Sequence, residues 1–93
     1  MAIEVTDVPE RARYELTVDG DRAGHENYVL EDSSITLTHT KVYDEYLGRG
    51  LAAELVTAVL SDIRARGLHL TVECPYVETF IARKPGEYSD LLE

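Results

Sequence analysis

Cysteine is scarce in this chain: Cys74 stands alone, so no disulfide can close within it. Positive charge is also scarce, with 9 Lys and Arg against 18 Asp and Glu in 93 residues, a net charge of −9. A nucleic-acid footprint needs a basic face, and docking on an anionic membrane needs the same, so neither partner is expected. One anionic small molecule asks for less, since a few backbone N–H groups and one or two local cations suffice. No apolar run approaches a signal-peptide core or a membrane span. These shortages predict a cytoplasmic, reduced protein, monomeric or a small oligomer. Two motifs are missing as well. Without GxxxxGK[ST] there is no phosphate loop of the nucleotide-hydrolase kind, and without G-x-S-x-G there is no nucleophile elbow. His25, His39 and His69 fall on separate strands and the single cysteine makes no ligand spacing, so no metal site is expected.

What is present suits one domain over residues 1–93, with 44% hydrophobic and 29% charged residues. After a mixed segment, 1–10, with room for an extra edge strand, residues 12–18 alternate, setting Ala12, Tyr14, Leu16 and Val18 on one face. Asp19-Gly20 is a tight-turn signal before the strand RAGHENYVLE. Ser33-Ser34 then precedes ITLTHTKV, which places Ile35, Leu37 and His39 on one face. The period next becomes helical: Leu51, Leu55, Val56, Val59, Leu60 and Ile63 form one stripe from about 50 to 66, closed by Gly67. LHLTVEC is a short strand, YVETFIARK a second helix, and the tail offers Tyr88, Leu91 and Leu92 to the core. The expected fold is α+β in the order β-β-β-α-β-α. Its sheet is mixed, an antiparallel meander joined to one strand that the long helix crosses over to reach in parallel.

The stretch YDEYLGRGLAAELV puts Gly48 and Gly50 at the strand-to-helix turn of that crossover, where a helix N-terminus is prepared for an anion. A bare tight turn is one explanation for the pair. A dinucleotide fingerprint is another, since Gly48-x-Gly50-x-x-Ala53 satisfies G-x-G-x-x-G/A and Glu73 ends the next strand. Its context fails: YDEYL separates Val42 from Gly48, and the chain has room for one βαβ unit only. The third explanation is pyrophosphate binding after an antiparallel meander.

HTKVYDEYLGRGLAAELV, followed by a strand and CPYV, resembles the GNAT acetyltransferase superfamily. It is most similar to small stand-alone GNAT-like domains carrying HTxV, GxGxA and CP[YF]V, from about residue 12 through the closing EYSDLL. The resemblance implies a minimal GNAT-like fold with acetyl-CoA or CoA as cosubstrate. The CoA pyrophosphate would lie on the backbone of Leu47, Gly48, Arg49, Gly50 and Leu51, and the pantetheine arm would pair with Thr40 and Val42. The superfamily's loop reads R/Q-x-x-G-x-G/A; here Glu45 replaces the first residue and is expected to face solvent, leaving Arg49 as the local cation or as a solvated loop residue.

By the same resemblance the two parallel strands splay, and Cys74 lies near the acyl group. It is a candidate catalytic thiol, preceding a helix start, or a buried small hydrophobe. His39 is a candidate base or a core histidine. The tyrosine that protonates the departing CoA in such enzymes falls at Phe80, leaving Tyr76 as the candidate replacement. Full-size enzymes carry flanking elements that shape the acceptor site, so an acceptor pocket here is expected to be shallow unless a partner completes it. The expected activity is acetyl-CoA-dependent N-acetyl transfer to an amine whose identity is open, a protein among the candidates. The alternatives are a non-catalytic acetyl-CoA/CoA-binding or regulatory module, or an interaction domain that has lost the ligand.

Overall fold

Alternation in the first half of the chain and helical periodicity in the second give two layers, a five-stranded sheet and a pair of helices. The computed structural model describes residues 2–92. The strands are β1 (Ile3–Val8), β2 (Arg13–Val18), β3 (Asp21–Glu31), β4 (Ser34–Val42) and β5 (His69–Val72), ordered 1-2-3-4-5 across the sheet. The first four form an antiparallel meander, and β4 pairs with β5 in parallel. The crossover is α1 (Leu51–Ala65), and α2 (Pro75–Ala82) follows β5. The sheet is the mixed one expected, with one strand more, since residues 3–8 form β1 at its edge.

Each turn has a local cause. Asp19 and Gly20 both take positive φ (51° and 88°), the conformation that suits the right-handed twist of a two-residue hairpin. Ala12 departs from its expected place on the Tyr14 face: at φ 53° it closes a 3-10 turn after Pro9 and is exposed. From Tyr14 onward alternation holds, and Tyr14, Leu16 and Val18 are buried. All six predicted stripe residues of α1 are buried against this face. Each such aliphatic side chain contributes about 1.5–3 kcal/mol relative to exposure. Tyr88 and Leu91 join the core, whereas Leu92 stays 42% exposed, contrary to its predicted place.

The C-terminal end of α1 is tied to the meander by a polar network. Tyr14 donates to Asp62 (2.6 Å), Tyr28 donates to Asp7 (2.6 Å), and Arg66 reaches Asp7 (3.0 Å), Asp62 (3.2 Å) and the Tyr14 oxygen (3.2 Å). Burial and the adjacent carboxylate hold the Tyr28 phenol up at about 12. Arg66 also sits where a cation complements the helix dipole.

Gly24 on β3 is closely packed against β4. A Cβ there would lie 2.4 Å from the carbonyl oxygen of Lys41 on β4, backbone that can yield only by distorting the ladder. Gly24→Ala is therefore expected to cost about 2–3 kcal/mol, read as a lower urea midpoint with an unchanged slope. A wild-type midpoint would mean that β3 and β4 are free to separate there.

Candidate functional site

The site begins where β4 and β5 part. They pair only from Ser34 to Leu37, opposite His69 to Val72. The Leu37 carbonyl then accepts from both Glu73 N–H (2.9 Å) and Cys74 N–H (3.1 Å), and β5 turns away. β4 continues to Val42 with only β3 beside it. Tyr43 N–H donates to Ala23 (2.8 Å), and counting back by twos, Lys41 and His39 exchange their bonds with β3. Thr40 and Val42 accordingly turn their N–H and C=O toward the side that β5 has left. A short length of open strand edge thus lies inside the sheet.

The chain leaves this edge through a 3-10 turn, Asp44–Tyr46, and reaches the glycines. Gly48 and Gly50 have φ 81° and 72°, in the left-handed region that favours glycine. Backbone conformation is the first reason for the pair. A second fact bears on what could approach: a Cβ at either position would meet nothing within 4 Å, so the outer side of the turn is open. Gly50 is the N-cap of α1 and supplies no side-chain cap, which leaves the first amides of the helix without an intrahelical acceptor. A hollow of about 130 Å³ opens here, bounded by Val42, Leu47, Gly48, Gly50, Ala53 and Tyr76 among others. Glu45 is exposed, and the Arg49 guanidinium stands 5.4 Å from the Tyr46 ring centroid, beside the turn.

Cys74 is the N-cap of α2 and only 2% exposed. Its sulfur lies 3.1 Å from the Thr40 hydroxyl, which also donates to Oε1 of Glu26 on β3. Glu26 is fully buried, and its Oε2 has no partner among the described residues. Burial pushes this carboxyl from 4.5 up to about 7; the Thr40 hydroxyl and the His39 backbone amide, which favour the charged form, offset only part of that.

His39 is not where the alternation predicted. A β-bulge between Leu37 and His39 sets Tyr28 opposite Leu37 and Asn27 opposite His39, so Thr38 is the extra residue. One additional residue reverses every later side chain. His39 therefore leaves the Ile35/Leu37 face and is exposed on the other side of the sheet, while Thr40 turns inward to meet Glu26 and Cys74. The same reversal that removes the histidine assembles the threonine.

Tyr76, 40% exposed, borders the glycine hollow and a second one of about 260 Å³ lined by Ala53, Thr79, Phe80, Arg83 and Lys84. Phe80 stacks between Tyr76 and Tyr88, with centroids 6.4 and 6.3 Å away. Arg83 and Lys84 were not singled out in the sequence, nor was Glu26. The signal for Glu26 was a carboxylate at an inward position of an alternating strand, between Gly24 and Tyr28. A larger hollow of about 350 Å³ lies at the outer edge of β5, but among the described residues Glu78 lines it and no lysine or arginine does. It is the wrong place for an anion.

A meander, a parallel crossover, strands that fork and a glycine turn opening an uncapped helix together define a minimal acetyltransferase-type fold. Residues 13–91 match the GCN5-related N-acetyl-transferase family, and the chain belongs to it. Protein NATD1 of Bos taurus is 37% identical over 51 residues, which is 55% of this chain and 45% of the bovine protein. A GCN5-like protein from Staphylococcus aureus superposes with a TM-score of 0.69 at 20% identity, over 95% of this chain and 85% of that one. Ribosomal-protein-alanine N-acetyltransferase from Brucella melitensis gives 0.61 at 17% identity, over 78% and 59%. At these identities the solved structures establish the shared fold.

Proposed function

We propose that this protein binds acetyl-CoA in the fork between β4 and β5 and transfers the acetyl group to an amine. The observation that carries this reading is the open edge of β4, whose Thr40 and Val42 backbone groups face an empty strand position. An extended amide chain such as pantetheine fits it as an added strand fits a sheet edge. The pyrophosphate would then lie over Gly48–Arg49–Gly50, on amides that no side chain caps, with the dipole of α1 and Arg49 supplying positive potential. Arg83 and Lys84 border the continuation of the groove and are suited to the remaining phosphate. In a chain of charge −9 these cations matter, because they offset an otherwise repulsive field.

Cys74 stands at the head of the fork and is the group suited to take the acetyl from the thioester. Its sulfur would bond to the carbonyl carbon as the CoA sulfur leaves and takes a proton, and an amine would then displace the thiol. Titration calorimetry of the reduced protein with acetyl-CoA tests the binding step. Saturable heat supports it; no heat at several temperatures, with an unchanged melting temperature, overturns it.

A second reading, a CoA-binding module without turnover, is favoured by Phe80, which the family resemblance sets at the position of the expected tyrosine and which packs against Tyr88. The two separate at Cys74. In the acyl-carrier reading, intact-mass spectrometry shows one added acetyl group on wild type and none on Cys74→Ser, while both proteins bind acetyl-CoA. Binding with no acetyl adduct and no consumption of acetyl-CoA would select the module.

A further inference from the structure

The buried carboxylate of β3 has no role in holding the fold together that an apolar side chain would not fill better. At full burial Glu26 has one oxygen on Thr40 and the other on no partner among the described residues. Leaving such a group unsatisfied in a protein interior is costly, most of all when it is charged. The same structure aims it at one place. Its Oε1 takes the only hydroxyl hydrogen Thr40 has, so toward Cys74 the Thr40 oxygen can offer only a lone pair. While Glu26 is ionised, the sulfur, 3.1 Å from that oxygen, is then the donor. The chain of bonds runs from the thiol through the hydroxyl to the carboxylate.

We propose that Glu26 is the proton acceptor for Cys74, acting through the Thr40 hydroxyl. The thiol S–H breaks as a new O–H forms on Thr40; the original Thr40 O–H breaks as one forms on Glu26. A thiolate and a neutral carboxyl result, and both hydrogen bonds are remade in the reverse sense, Glu26 donating to Thr40 and Thr40 to sulfur. No net charge is created in the core. The thiolate is thereby available without a histidine, which accounts for a site whose two neighbouring histidines, His25 and His39, both lie on the other side of the sheet. That the activated sulfur receives an acetyl group rests on the function proposed above; the proton path does not.

The other groups facing Glu26 leave the path undisturbed. Across on β2 stands Tyr14, whose hydroxyl is committed to Asp62. α1, packed over β3 and β4, buries only aliphatic side chains. His25, next to Glu26 on β3, bonds instead to the Tyr43 hydroxyl. Thr40, with Cys74 behind it, and the backbone amide of His39 are the polar groups beside the carboxyl. Proton exchange in this cluster is thus confined to one carboxyl and one thiol.

The test is the rate of Cys74 alkylation by iodoacetamide from about pH 5 to about pH 9, where the thiolate is the reacting form. Four folded proteins are compared: wild type, Glu26→Gln, Thr40→Val and Thr40→Ser. Wild type should react faster as pH rises through about 7, where Glu26 becomes available as a base, and then level off. Glu26→Gln and Thr40→Val should lose that step and react about tenfold more slowly near neutrality. Thr40→Ser keeps a hydroxyl and should restore the step, which a packing defect would not do. Superimposable profiles in all four, including the profile of a thiol exposed only by unfolding, overturn the relay. The acetyl-mass measurement on wild type runs independently: a step in alkylation without acetylation upholds the relay and removes the acyl carrier.

Discussion

Gly50→Asp is expected to abolish acetyl-CoA binding and leave the protein folded. The backbone can tolerate the change, since Asp19 and Asp32 already adopt φ near 50° and a side chain at Gly50 would meet no neighbour. The conformational cost is about 1 kcal/mol. The cost to the ligand is larger. A carboxylate at the mouth of α1 would occupy the amides left free there and repel a pyrophosphate at close range. Each like-charge pair near 4 Å contributes about 1–4 kcal/mol between full and partial solvent screening. Affinity should therefore fall by about a hundredfold or more. Calorimetry with acetyl-CoA checks this beside thermal melts on the same preparations. Wild-type affinity in the folded variant would mean that the turn holds nothing and that its glycines serve backbone conformation alone.

The second large effect is on stability, and it has a sign opposite to intuition about charged residues. Glu26 titrates at about 7 in the folded protein and near 4.5 when exposed, so between those values the folded state holds the extra proton. Stability contributed by this group is complete below the unfolded value and falls as pH rises toward the folded one, levelling off above it. The loss amounts to about 3 kcal/mol. Glu26→Gln removes that slope. The variant should be the more stable protein near pH 8 and lose its advantage near pH 5. His25, whose pKa burial lowers, acts in the opposite direction as pH rises, so the comparison of wild type with variant at each pH isolates Glu26. Urea midpoints across that range measure it, and parallel curves would mean that the Glu26 carboxyl is hydrated in the native state.

The two effects of one substitution are connected. Glu26→Gln should give a sturdier protein above neutrality whose cysteine reacts more slowly. A carboxylate that costs stability at the pH where it is ionised, yet lies one hydroxyl from the lone thiol, fits a site where function is kept at the expense of the fold.

Most of the scaffold was legible before folding. Apolar residues at period 2 and then at period 3.6, with Asp19-Gly20 and Gly67 as punctuation, determine strands, helix and turns through local sterics and burial. The HTKV, GRG and CPYV segments carried the resemblance to the acetyltransferases, and family membership followed. What the sequence could not decide was facing and proximity. The inward or outward sense of Thr38–Val42 depends on a bulge, and a bulge is a property of two strands in register; it sent His39 out and Thr40 in. The open edge of β4 exists because β5 stops pairing at Val72, a matter of where a second chain segment turns. Glu26, Thr40 and Cys74 lie far apart along the chain, and only the stacking of β3, β4 and the start of α2 brings them into one hydrogen-bonded line. Sequence determined which surfaces must be buried, because burial follows side-chain chemistry; tertiary structure decided which polar groups meet beneath them, because that follows from register.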